Sequence, residues 1–312
     1  MTITRTGTGE LHPMARGMSL VTVAVLALLA STACTAVAGD DRPEPRVTDA
    51  AGDPRAGGEG DASATPPTAD PDEAGRKNGD GRKNADGGTS SGPLADMTVV
   101  IDPGHNGGNE DAPDEINKLV PAGPSKKECD TVGAESSGGY AEHEFTWDFS
   151  QNLADQLQAE GATVVLTRDD NTGVGPCINE RAEIGNDAEA DAAISIHADG
   201  GPATGRGFHL IAPGRVEGFT EDIVEPSRQL AKDVRAAYRA GSGLPYADYL
   251  AEDGLDERTD LGGLNLSTVP KVFLEAGNMR NPADAKKLAD EEWREKAAGA
   301  VAEGIARYLQ RD

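Results

Sequence analysis

Three short apolar runs in this chain each finish on a side chain that can bind a metal or carry a proton. Residues 99–105 read Val-Val-Ile-Asp-Pro-Gly-His and end at His105. Residues 193–197, Ala-Ile-Ser-Ile-His, end at His197, and residues 271–275, Lys-Val-Phe-Leu-Glu, end at Glu275. In open α/β sheets the ligand crevice lies beyond the carboxyl ends of the strands, so one sheet could gather all three groups. Two imidazoles and a carboxylate suit zinc, which takes neutral His nitrogens and carboxylate oxygens in a tetrahedral set. A catalytic zinc keeps three protein ligands and one open position.

The third ligand has to come from another element. Glu142, His143 and Glu144 stand together at the start of a helical pattern. At about 100° per residue, Phe145, Phe149, Leu153 and Leu157 all fall within about 60° of Glu142. Glu142 is therefore centred on the apolar stripe, where a carboxylate must be paired or bound to metal. Glu144 falls on the solvated side. His143, roughly 100° away, stays open as the alternative ligand. The other candidates have blander readings. His209 reads as a structural histidine or at most a wall of the cleft. Asp102 could cap the turn before His105, and Asn106-Gly107-Gly108 could be a plain flexible loop.

The elements that must position these groups alternate between strand and helix signals. Strands are predicted at 97–101, 162–166, 192–197, 207–212 and 271–274. Helices are predicted at 142–160, 178–189, 226–240, 282–288 and 292–309, with Gly161 and Gly241-Ser-Gly as stops. This order favours an α/β fold with helices on both faces of a sheet, in a single domain over residues 96–312.

The first 95 residues differ in kind. Arg5 and Arg16 precede an apolar run at 20–30 that is too short for a comfortable membrane span. Residues 1–38 therefore read as an export signal, with an uncleaved N-terminal anchor as the competing view. Processing could follow Ala36-Val37-Ala38, or a lipid could be attached at Cys34, which follows Ser-Thr-Ala. Residues 39–95 are rich in Gly, Asp, Pro, Ala and Lys and read as a disordered tether. Export implies an oxidising compartment, so Cys129 and Cys177 are expected to pair, leaving Cys34 odd; the alternative is two buried free thiols. The formal charge of −25 argues against nucleic acid as a partner.

The motifs resemble those of the zinc-dependent N-acetylmuramoyl-L-alanine amidases of the amidase-3 type. The residues that carry the likeness are Val99 to Gly107, Gly139 to Phe145, Val164 to Arg168, Asn179 to Asn186, Ser195 to Asp199 and Phe273 to Asn281. They occur in the family's order across nearly all of residues 96–312. The resemblance implies a mostly parallel, twisted sheet of about six strands. It implies one zinc ion held by His105, Glu142 and His197, with Glu275 as the catalytic carboxylate. The substrate implied is peptidoglycan or its muropeptide fragments, cut between the lactyl group of N-acetylmuramic acid and L-alanine. The mycobacterial-like members are most similar, with a long insertion before the Glu, matching residues 108–138, and a disulfide at the cysteines matching Cys129 and Cys177.

Asn278 and Arg280 are expected in the cleft. Arg181, with Asn186, either supports the site or serves as a salt-bridge partner in the scaffold. The protein is expected to act outside the cytoplasm as a monomer, touching membrane only through an N-terminal lipid. Two other readings stand beside this one: a zinc peptidase cutting within the stem peptide, and a non-enzymatic wall-binding lipoprotein.

Overall fold

The computed structural model describes residues 91–311. The export signal, Cys34 and nearly all of the tether lie outside the described residues. In chain order the elements are β1 (Thr98–Pro103), α1 (Pro113–Ile116), β2 (Leu119–Pro121), β3 (Lys126–Glu128), α2 (Glu142–Ala159), β4 (Thr163–Leu166), α3 (Ile178–Asp187) and β5 (Ala192–Asp199). There follow β6 (His209–Pro213), α4 (Val224–Ser242), β7 (Leu255–Arg258), α5 (Gly262–Asn265), β8 (Lys271–Asn278), α6 (Pro282–Leu288) and α7 (Glu291–Leu309).

The main sheet has six strands in the order β4-β1-β5-β8-β6-β7. All neighbours run parallel except β6 and β8, which are antiparallel. Successive strand residues face opposite sides of a sheet, and here the two sides have different chemistry. Val99, Ile101, Ala192, Ile194, Ile196, Leu210, Val272 and Leu274 point into the large core shared with α2, α4 and α7. The opposite side begins with a small apolar cluster around Val100 and Ala193, under α3. Towards the strand ends that side carries Asp102, Ser195, His197, Lys271, Phe273 and Glu275. One face therefore holds the fold together and the other carries the polar groups.

Helix α2 orients itself by its apolar stripe. Phe145, Phe149, Leu153 and Leu157 are all fully buried, each contributing roughly 1.5–3 kcal/mol. That stripe fixes the rotation of the helix and carries Glu142, at its first turn, into the interior.

Several sequence expectations are corrected. Strands β5 and β8 do not stop at His197 and Glu275 but run on to Asp199 and Asn278. The register shifts between His197 and Asp199, which lets β5 continue past the site. The insertion at 108–138 holds α1 and the β2–β3 hairpin, none of which the sequence reading assigned. The packed chain also starts before residue 96: Leu94 is fully buried, and its N–H donates to the Glu160 carbonyl at 3.0 Å. Strand β7 escaped the sequence reading because Leu-Asp-Glu-Arg at a sheet edge lacks an apolar alternation.

Candidate metal centre

The strand register assembles the site. His197 of β5 lies opposite Glu275 of β8, and Glu275 lies opposite His209 of β6. These partners share one face, so His197 and Glu275 are neighbours across the strand ends. His105 arrives from the turn after β1, and Glu142 reaches over the end of the sheet from the first residue of α2.

His105, Glu142 and His197 offer ligand atoms that all lie within 4.8 Å of one another. Glu142 Oε1 is 3.2 Å from His105 Nε2 and 3.0 Å from His197 Nδ1. Ligands about 2.0–2.1 Å from a tetrahedral zinc stand about 3.3 Å apart, so the donors have the right identity and nearly the right spacing. The Glu142 carboxylate is anchored at both oxygens: the Ala134 N–H donates to Oε2 at 2.6 Å, and the Ala198 N–H donates to Oε1 at 3.0 Å.

Electrostatics points the same way. Burial by itself raises the Glu142 carboxyl, but the two imidazoles beside it outweigh this and hold it well below the usual carboxylate range. Burial lowers the His105 imidazole, and the Glu142 and Asp130 carboxylates overcome that and lift it to about 10. Protein groups alone thus strongly favour positive charge at this spot, which suits a divalent cation. His143 sits outside the cluster, with Nδ1 3.2 Å from Asn171 Oδ1. Glu144 is exposed and accepts from the Ala141 N–H, closing the start of α2.

Glu275 behaves differently. Its Oε2 is buried without a hydrogen-bond partner. Burial first, then the Glu142 and Asp199 carboxylates, pushes it well above the ordinary carboxylate range. A carboxyl raised in this way holds a proton more readily than an ordinary carboxylate and is suited to accept and return one.

The turn carrying His105 is tightly held. Its φ of 60° lies in the left-handed region, which L residues enter at a cost. His105 Nδ1 lies 3.0 Å from the Thr131 carbonyl oxygen, an acceptor that keeps a proton on Nδ1 and leaves Nε2 as the nitrogen facing Glu142 that could bind a metal ion. Gly104 is required because a Cβ there would stand 2.2 Å from His197 Cε1. The Phe273 ring stacks on the His197 ring at 5.3 Å and nearly parallel, fixing its plane.

A cavity of about 400 Å³ opens over these groups, lined by Val132, Gly133, Asp199, Gly200, Glu275 and Arg280 among others. Arg280 is exposed and is among the residues that line it. Asn278 is not in the cleft. It is fully buried, and Nδ2 donates at 2.8 Å to both the Pro202 and Gly205 carbonyls, tying down the loop after β5. Arg181 is buried and does both things the sequence left open: it pairs with Asp102 at 2.8 Å and Asp130 at 3.0 Å, and it donates to the His105 carbonyl at 3.0 Å. Asn186 is distant, bonded to Leu266 and Thr268.

The sequence reading assigned no role to Asp199, Asp130 or Thr131. The first had a signal, because it lies two residues beyond His197 on the same strand face. It accepts a hydrogen bond from the Tyr249 hydroxyl at 2.8 Å. The other two had none, since only the path of the insertion brings them to His105. Cys129 and Cys177 are joined in a disulfide.

A mostly parallel sheet with a His–Glu–His cluster and a raised carboxyl beside it at the strand ends is the architecture of an α/β enzyme whose site could hold a metal ion. The chain belongs to the Amidase_3 family, the N-acetylmuramoyl-L-alanine amidases, whose sequence model matches residues 99–307. It is 42% identical over 219 residues to the N-acetylmuramoyl-L-alanine amidase Rv3717 of Mycobacterium tuberculosis, covering 69% of this chain and 88% of that one. Among solved structures it is similar to the amidase Ami1 of Mycobacterium smegmatis, at 40% identity and a TM-score of 0.65, over 70% of this chain and 99% of that one. The apo form of Ami1 from Mycobacterium abscessus is also similar, at 43% identity and a TM-score of 0.65, over 70% and 100%. Membership makes the chain an amidase of cell-wall peptidoglycan.

Proposed function

We propose that this chain is a zinc-dependent amidase acting outside the cytoplasm, which frees the stem peptide from N-acetylmuramic acid by hydrolysing the lactyl–L-alanine amide. His105, Glu142 and His197 hold one zinc ion, and Glu275 is the proton carrier. The observation that carries this reading is the meeting of three metal-type ligands within 4.8 Å, with Glu275 in register beside His197.

When bound, zinc polarises a carbonyl and makes water more acidic, toward a pKa of about 7. The chain's own groups do the rest. Glu275 accepts a proton from the attacking water and hands it to the departing L-alanine nitrogen. Its raised affinity for a proton makes both transfers accessible. Val132 and Gly133 line the cavity together with two groups of opposite charge, Asp199 and Arg280. Arg280, exposed there, is positioned to meet a carboxylate of the stem peptide. An export signal within 1–38, processed either after Ala38 or with lipid attachment at Cys34, and a recycling or remodelling role belong to the same reading.

Purified protein should convert muramyl dipeptide to N-acetylmuramic acid and an intact dipeptide, weighed by mass spectrometry. A chelator should abolish the reaction and added zinc restore it. Glu275→Ala should bind zinc normally but turn over at least about 10²-fold more slowly. Wild-type turnover by that variant would remove Glu275 from the mechanism, and cleavage within the peptide would make the enzyme a peptidase.

A further inference from the structure

The insertion before Glu142 does more than border the cavity. Its stretch Cys129-Asp130-Thr131 lies against the turn that presents His105. The Thr131 carbonyl accepts from His105 Nδ1 at 3.0 Å, with Thr131 Oγ1 at 3.2 Å and Asp130 Oδ1 at 3.5 Å from the same nitrogen. Asp130 is itself fixed: Oδ1 accepts from the Thr131 N–H at 2.8 Å, and Oδ2 accepts from Arg181 at 3.0 Å.

Arg181 then grips the other end of the same residue. Its guanidinium donates to the His105 carbonyl at 3.0 Å and to the Pro103 carbonyl at 2.8 Å, while Asp102 holds it from the strand side. It also bonds the Pro176 and Gly175 carbonyls, just before Cys177. The disulfide therefore joins the two segments that clamp His105, one through its ring and one through its backbone. A left-handed φ at a non-glycine residue persists only where the surroundings impose it.

We propose that Asp130 and the Cys129–Cys177 disulfide are positioning elements for the metal, holding His105 in its left-handed, Nδ1-protonated form so that Nε2 is presented to zinc. This rests on the metal site proposed above. Groups that orient a metal-bound histidine typically change metal affinity about 10- to 100-fold when lost.

The test measures zinc affinity of the metal-free full chain by competition with a colorimetric chelator, and the visible spectrum of the cobalt(II) form. The variants are Asp130→Asn, the double change Cys129→Ala with Cys177→Ala, His105→Ala, and Arg311→Ala. Alanine is used because reduced thiols would themselves bind zinc. Arg311→Ala removes a distant pairing with Asp233 and controls for general destabilisation. Far-UV circular dichroism confirms that each metal-free protein is folded at the assay temperature.

Zinc should bind about 10- to 100-fold more weakly to Asp130→Asn and to the double variant, with an altered cobalt spectrum, and unchanged to Arg311→Ala. A disulfide that served only stability would leave the affinity of the folded protein untouched. Binding within about threefold of wild type, below the range expected for such groups, by Asp130→Asn and by the folded double variant overturns the proposal. If the double variant does not fold, Asp130→Asn decides alone, because it keeps the disulfide. Failure of the metal site itself would look different: wild type would bind no zinc, or His105→Ala would bind as tightly as wild type.

Discussion

A Cβ at residue 104 would lie 2.2 Å from His197 Cε1 and 2.6 Å from its Nε2. Nothing soft stands in the way, because the imidazole is backed by the Phe273 ring. Gly104→Ala should therefore displace a ligand and not merely crowd a loop. Zinc affinity and kcat/KM are both expected to fall at least about tenfold, while the rest of the fold survives. Isothermal titration with zinc checks this, and an unchanged affinity would mean that the His197 ring can move freely. Glu142 is the residue whose role is most legible from its neighbours in the chain. Its place on the stripe of Phe145, Phe149, Leu153 and Leu157 marks it as buried, and a buried carboxylate needs a cation. The helical angle alone does not dismiss His143; only its contact with Asn171 removes it from the cluster.

At the scale of elements, the segment before β1 belongs to the domain. Leu94 is fully buried against the large core, and a Cβ on Gly92 would collide with the Glu160 carbonyl at 2.2 Å. The turn after α2 and the start of the packed chain therefore lock together. Leu94→Ala should cost roughly 2–5 kcal/mol, read as a lower urea midpoint, with zinc affinity unchanged. A loss below about 0.5 kcal/mol would show that residues 91–96 contribute no packing. Composition concealed this, because one leucine among Gly, Pro, Ala and Asp does not alter the character of a linker. The direction of β6 was equally hidden. Periodicity finds a strand and its buried face, but says nothing of whether its neighbour runs parallel or antiparallel.

For the whole molecule, acid stability should depend on the buried charges beneath the metal centre. Burial raises the Asp102 carboxyl, yet the neighbouring Lys271 and Arg181 charges outweigh it and hold the group far below the usual carboxylate range. The unfolded chain therefore takes up this proton first, near pH 3.9. The stability that Asp102 supplies is complete above that pH and is lost as pH falls toward the folded value. Lys271 stands 3.5 Å from Asp102 and is almost fully buried. In Lys271→Met the Asp102 pKa should move back toward normal, so stability against urea should fall less steeply between about pH 5 and pH 2. An unchanged slope would show that Lys271 does not set the Asp102 charge.

The sequence by itself determined the ligand types, the strands that present His197 and Glu275, the inward face of α2 and the family. All of these depend on near neighbours in the chain, through periods of two and 3.6 residues and through short motifs. Only the tertiary structure decided that Asn278 anchors a loop and that Arg181 ties the His105 turn to Asp102 and Asp130. The same holds for Asp130 and Thr131 meeting His105. Those pairings join residues 25 to 79 positions apart, and such distances are closed by packing and register, which no local pattern encodes.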